Sequence, residues 1–139
     1  ANPTEAYKRP LNHLTKILAA TRNYHTIALD LLRRGPSDLT AVYYQGIDEV
    51  GHRFMHYAPP RMEGVSAEEY GRFSGVVEEF YVYQDELLGE LVRLAGSETT
   101  VLVLSDHGFL NGPDRPPGQT ADIEGQPARW HRSHPAHVA

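Results

Sequence analysis

Two short clusters of acidic and histidine residues stand at the ends of two apolar runs of the sequence. Asp48 and His52 follow the first run, and Asp106 and His107 follow the second. Carboxylates and imidazoles at strand ends suit divalent metal ions in α/β enzymes, because functional groups gather where the strands end. We therefore predict that the two clusters share one metal site.

The composition restricts both the metal ligands and the class of partner. The chain has 139 residues, eight histidines, no cysteine and a formal net charge of −5. Without cysteine there are no disulfides, thiolate ligands or cysteine nucleophiles, so any metal must be held by imidazole and carboxylate. An acidic chain with scattered basic residues is not expected to bind nucleic acid by bulk charge.

Targeting signals are not apparent in the sequence. No apolar run approaches the ~20 residues that span a bilayer, and the first residues lack the pattern of a signal peptide. We expect residues 1–139 to form a soluble single α/β domain or a fragment of a larger catalytic domain. The compartment is left open by these features.

Hydrophobic spacing predicts two long helices. The first covers residues 10–34, with a proline in its first turn and a Gly-Pro pair at its end. The second covers residues 67–96 and starts with the capping-box pair Ser66 and Glu69. These helices would flank the strands that carry the acidic and histidine clusters.

Apolar, β-branched and aromatic residues predict strands over 39–44 and 100–104, with an irregular stretch over 45–64 and a long loop over 108–129. Because a helix separates the strands, they are expected to run parallel through a crossover. The predicted fold class is α/β, with a parallel or mixed sheet and flanking helices. Two strands make an incomplete sheet, so we expect a fragment whose open sheet edge favours self-association.

Three motifs resemble those of a known family. They are Asp-x-x-x-His at 48–52, Ser-Asp-His-Gly-Phe at 105–109 and Trp-His-Arg at 130–132. In order and spacing they resemble the later motifs of the alkaline phosphatase superfamily, and they are most similar to its type I phosphodiesterase/nucleotide pyrophosphatase branch. The resemblance implies that the chain is the C-terminal portion of an alkaline-phosphatase-like three-layer sandwich.

The resemblance also implies a ligand set for two divalent metal ions, usually zinc, with manganese or another ion as alternatives. Asp48, His52 and His131 would hold one ion, and Asp106 and His107 would hold the other. In this family an earlier region supplies one further aspartate and a threonine or serine nucleophile. We find neither in this chain, and therefore expect the site to be incomplete or empty and the chain to be inactive by itself.

Two histidines near these motifs have alternative roles. His134 lies three residues after His131 and is an alternative last ligand. His56 lies four residues after His52 and is expected to pack or to hydrogen-bond behind the ligands.

The predicted function is metal-dependent hydrolysis of a small phosphorylated substrate by the full-length protein. Paired cations favour attack of a nucleophile on a phosphate ester because they stabilise charge on both the nucleophile and the leaving oxygen. Phosphatase, sulfatase and phosphomutase activities are alternatives within the same family. A non-catalytic α/β domain that binds a metal or a partner is the alternative outside it.

Overall fold

The computed structural model describes residues 9–35, 37–116 and 127–132. Its α-helices are α1 (Pro10–Arg34), α2 (Gly46–Phe54), α3 (Ala67–Phe73) and α4 (Val76–Ala95). Single-turn 3₁₀ helices cover Met55–Tyr57, Gly112–Asp114 and Pro127–Trp130. Two short strands, β1 (Gly108–Phe109) and β2 (His131–Arg132), pair antiparallel.

The predicted α/β sandwich with a parallel sheet is wrong for the described residues, which are mostly helical with a single two-stranded antiparallel sheet. The runs 39–44 and 100–104 form no strands. Their side chains include Leu39, which is 84% exposed, and Leu104, which is 87% exposed. An apolar run becomes a buried strand only when neighbouring strands complete its hydrogen bonds, and the described residues provide none for these runs.

The helix predicted over residues 10–34 is confirmed by α1. Pro10 stands in its first turn, Arg33 and Arg34 lie in its last turn, and Gly35 follows with φ of 151°. A proline fits the first turn because its missing N–H would have no partner there. Basic side chains suit the negative end of the helix dipole.

The second predicted helix begins as expected but is interrupted. Ser66 and Glu69 form the capping box at the start of α3, with the side chain of each residue bound to the backbone N–H of the other. Residues 74 and 75, a serine and a glycine, then form a turn between α3 and α4. Both are poorer helix formers than alanine, which explains why one continuous apolar pattern covers two helices.

Helix α2 lies within the stretch that we predicted to be irregular. Its buried residues Val50 and Phe54 are 1% and 0% exposed and stand one turn apart. Acidic residues occupy its first turn and His52 and Arg53 its last turn, which matches the helix dipole. Within the long loop predicted over 108–129, the structure has β1 and the two 3₁₀ turns at Gly112–Asp114 and Pro127–Trp130. Residues 117–126 of that loop lie outside the described part.

Two compact units divide the described chain. The first comprises the described residues up to Val50 together with Phe80–Val101, and the second comprises Gly51–Glu79 together with the described residues from Leu102 onward. None of the helices in the described ranges is long and apolar enough to cross a bilayer.

A buried histidine of α1 contacts side chains from two other segments of the first unit. His25 is fully buried, with its Nδ1 2.7 Å from the Tyr44 hydroxyl and its Nε2 3.1 Å from a Glu90 carboxylate oxygen. The buried apolar residues of this unit are Ile17, Ala28, Leu29, Val50, Phe80 and Leu87.

An aromatic cluster forms the core of the second unit. The rings of Phe54, Tyr57 and Phe73 lie with centroids 5.0–6.1 Å apart. The other buried apolar residues of this unit are Met55, Val65 and Trp130.

The first unit yields a prediction at the start of α2. A Cβ atom at Gly46 would lie 2.5 Å from Thr21 Oγ1 and 2.7 Å from Phe80 Cζ. We expect Gly46→Ala to lower the unfolding free energy by about 1–3 kcal/mol through overpacking. Gly71→Ala is the control, because a Cβ there meets no atom within 4 Å and should stabilise the helix by about 0.5–1 kcal/mol. Urea unfolding measures both, and equal stability of the two variants would contradict the packing at Gly46.

Candidate metal centre

Helix α2 places two of the predicted ligands on one face. Asp48 and His52 stand four residues apart, and side chains at this spacing are neighbours on a helix surface. His52 is 7% exposed and Asp48 is half-buried. The helix therefore presents a carboxylate and an imidazole together, although we predicted that a strand end would do so.

The β1–β2 pair supplies the third predicted ligand. Phe109 of β1 pairs with His131 of β2 in the antiparallel register. The Nε2 atom of His131 lies 3.0 Å from the Nε2 atom of His52. Residues 79 positions apart in the sequence thus meet through the nitrogen atoms that commonly bind metal ions.

Asp48, His52 and His131 form a group in which each residue offers one ligand atom, and these atoms all lie within 4.8 Å of one another. Ligand atoms around a tetrahedral zinc ion stand about 3.3 Å apart, given bonds of about 2.0–2.1 Å. The 3.0 Å between the Nε2 atoms of His52 and His131 is close to this value, and no separation in the group exceeds 4.8 Å. Two imidazoles and one carboxylate are also a donor set that suits zinc and similar divalent ions.

The second predicted cluster is arranged differently. The His107 ring stacks on the His131 ring, with centroids 3.5 Å apart and planes 14° from parallel. Its Nδ1 atom lies 3.2 Å from the Gly108 carbonyl oxygen, to which an N–H at that position donates. Asp106 is 92% exposed, and its carboxylate lies 3.9 Å from His107 Nε2. The structure thus brings His107 beside the group of three and leaves Asp106 at the surface.

His56 is the one of the two alternative histidines that the described residues include. His56 belongs to the 3₁₀ turn after α2, is 2% exposed, and packs its ring against Tyr57 at 3.7 Å between centroids. It is not a member of the group of three. His134 lies outside the described residues.

Gly51 and Phe109 border the metal group, and the sequence analysis assigned neither of them a role. Gly51 lies between Asp48 and His52 in α2. The ring of Phe109 occupies the place where a side chain at position 51 would be. A glycine inside a helix costs about 1 kcal/mol relative to alanine. A glycine directly before a predicted ligand is therefore a sequence signal of close packing.

Burial lowers the pKa of His56 from 6.5 to about 4; the Glu69 carboxylate opposes this shift, and the Arg115 guanidinium adds to it. Because the pKa in the folded chain is below that in the unfolded chain, stability present above pH 6.5 is lost as the pH falls toward 4. We expect the wild type to lose about 2 kcal/mol more unfolding free energy over this interval than His56→Gln. Urea unfolding at a series of pH values tests this, and parallel pH profiles would contradict it.

The sequence matches a family model over nearly its whole length. The family model described as type I phosphodiesterase / nucleotide pyrophosphatase matches residues 2–136. No solved structure matches the chain. The matched range includes all three residues of the metal group.

Proposed function

The chain belongs to the type I phosphodiesterase/nucleotide pyrophosphatase family, and on this premise we propose that Asp48, His52 and His131 hold a divalent metal ion, most simply zinc, for the hydrolysis of phosphate esters. The meeting of these three side chains carries the proposal. Metal-assisted hydrolysis requires a ligand set of this kind. The three side chains therefore fit a family of phosphoric ester hydrolases.

The chemistry of the three ligands fits this role. Three protein ligands leave one position of a tetrahedral ion open, as in catalytic zinc sites. A divalent ion bound there supplies positive charge that polarises a phosphoryl oxygen and favours ionisation of an attacking hydroxyl. Asp48 contributes negative charge that offsets the cation, whereas His52 and His131 contribute neutral nitrogen donors. Both imidazoles must be deprotonated at Nε2 to act as ligands, so binding should weaken at acidic pH.

A second ion belongs to the proposal through Asp106 and His107. His107 already stacks on His131, so a cation bound by His107 would lie near the first. We propose that the aspartate that the family resemblance assigns to an earlier region completes the ligands of this second ion. The threonine or serine of the same region would be the nucleophile. We propose a small phosphorylated molecule as substrate, with a phosphodiester favoured over a monoester by the family match.

The experiment that tests the function uses the gene product that carries this chain. We expect it to bind zinc and to hydrolyse bis(p-nitrophenyl) phosphate, and we expect Asp48→Ala and Asp106→Ala each to reduce that activity. A gene product that binds no divalent ion, or whose activity survives both substitutions, would contradict the proposal. The 139-residue chain by itself should hydrolyse this ester poorly, and rapid turnover would place the nucleophile within it.

A further inference from the structure

We infer that Phe109 is a positioning residue that orients three imidazole rings of the metal centre, and that Gly51 provides the space in which the Phe109 ring lies. The inference rests on the proposed function, because His52, His107 and His131 are its proposed ligands. It adds a residue that binds no metal and acts through the ligands.

The Phe109 ring makes edge contacts with all three histidines. The centroid of its ring lies 5.0 Å from that of His52 and 5.5 Å from those of His107 and His131. The corresponding interplanar angles are 81°, 68° and 79°. These distances and angles are those of favourable T-shaped aromatic pairs. One apolar ring therefore borders every histidine that the structure places at the centre.

The strands explain how one side chain reaches these rings. Phe109 is the cross-strand partner of His131, and directly paired residues hold their side chains close together. His107 precedes Phe109 by two positions, so its side chain lies toward the same face of the extended chain. His52 comes from α2, and its contact with Phe109 depends on the close approach of that helix to β1.

Gly51 makes this approach possible. A Cβ atom at this position would lie 2.6, 2.7 and 2.9 Å from three carbon atoms of the Phe109 ring. Any side chain at position 51 would therefore move Phe109 away from the ring of the adjacent His52. The position of the Phe109 ring therefore accounts for a glycine at a helix position where glycine is otherwise unfavourable.

Orientation of the rings matters because a rotation of an imidazole by 180° exchanges Nε2 with a carbon atom. The 3.0 Å separation of the Nε2 atoms of His52 and His131 exists only in the present orientation of both rings. A flat apolar ring against their edges limits such rotation and excludes water from that side. Groups that orient metal ligands by hydrogen bonds commonly change metal affinity by about 10- to 100-fold when they are replaced, and we expect an effect of this size from the packing of Phe109.

The test compares Phe109→Leu with Phe73→Leu in the 139-residue chain. Phe73 is buried in the same unit and packs on Phe54 and Tyr57 rather than on the histidines. Titration with Co²⁺, followed by visible absorption, should show about 10- to 100-fold weaker binding for Phe109→Leu. Phe73→Leu should stay within about threefold of the wild type, and Phe109→Tyr, which keeps the ring, should restore binding.

A measurement without metal separates this inference from the proposed function. In the metal-free chain, nuclear Overhauser contacts between the His52 and His131 rings should be lost in Phe109→Leu and in Gly51→Ala, and kept in Phe73→Leu. Retention of these contacts in Phe109→Leu, or Co²⁺ affinity within threefold of the wild type, would overturn the inference. Failure of the wild type to bind any Co²⁺ would count against the proposed function, and the ring contacts would still test the role of Phe109.

Discussion

Replacing Asp48 with asparagine is expected to weaken zinc binding by about 100-fold or more. Structural zinc sites with about four ligands bind with about 10–16 kcal/mol, so the share of one ligand is about 3 kcal/mol. Asp48 is the single carboxylate of the group of three. Its loss also removes the negative charge that offsets the cation, while the side chain keeps nearly the same shape.

Glu49→Gln is the matched control for this substitution. Glu49 is the adjacent residue in the first turn of α2, is half-buried like Asp48, and is not a member of the group. Its variant should bind zinc as the wild type does, within about threefold. Competition titration against a chromophoric chelator measures all three proteins. Equal zinc affinities of Asp48→Asn and the wild type would show that the carboxylate is not a ligand.

Replacing Arg115 with methionine is expected to lower the unfolding free energy by about 3 kcal/mol. Arg115 is 6% exposed and donates hydrogen bonds to four backbone carbonyls. Its Nη1 donates to Met55 at 2.8 Å and also to Ala58, its Nη2 donates to Pro60, and its Nε donates to Gly112 at 2.8 Å. Hydrogen bonds from charged donors contribute about 1.5–3 kcal/mol each, and the carbonyls left without a donor add a desolvation cost.

The control for Arg115 is Arg61→Met, because Arg61 is an exposed arginine of the same unit. Its substitution should change the unfolding free energy by less than about 0.5 kcal/mol. Arg115→Lys should fall between the two, since an ammonium group cannot reach all of these carbonyls from one position. Urea unfolding with a common m-value gives the comparison. Equal losses for the Arg115 and Arg61 variants would show that the carbonyl contacts contribute little to stability.

Helix ends set by local chemistry could be predicted from the sequence. Pro10 and the glycine that follows Arg34 fix both ends of α1, and the Ser66–Glu69 capping box fixes the start of α3. Each of these signals acts within a few residues of the chain. The helix ends that they predict therefore do not depend on how distant parts of the chain fold.

The strands were predicted incorrectly because a strand depends on residues far away in the sequence. The runs 39–44 and 100–104 have β-branched and aromatic composition but no neighbouring strand within the described residues. Helix α2 was missed for a related reason, since we interpreted Asp48 and His52 as the end of a strand. Their spacing of four residues, together with the equal spacing of Val50 and Phe54, is a helical pattern.

The sequence motifs indicated side chains that lie close together in the structure. Three predicted ligands meet in the structure, and the family match extends over them. The roles of Gly51, Phe109 and Arg115 could not be predicted, because each depends on contacts between elements distant in sequence. Motifs report the chemistry of a site, whereas the residues that support it are found only from packing.

X-ray absorption at the zinc edge, on the 139-residue chain loaded with one equivalent of Zn²⁺, tests the central claim most directly. The account predicts a first shell with two imidazole nitrogens and one carboxylate oxygen at about 2.0–2.2 Å, and one imidazole fewer in His131→Ala. A shell of oxygen atoms without imidazole scattering, or a spectrum unchanged in His131→Ala, would contradict it.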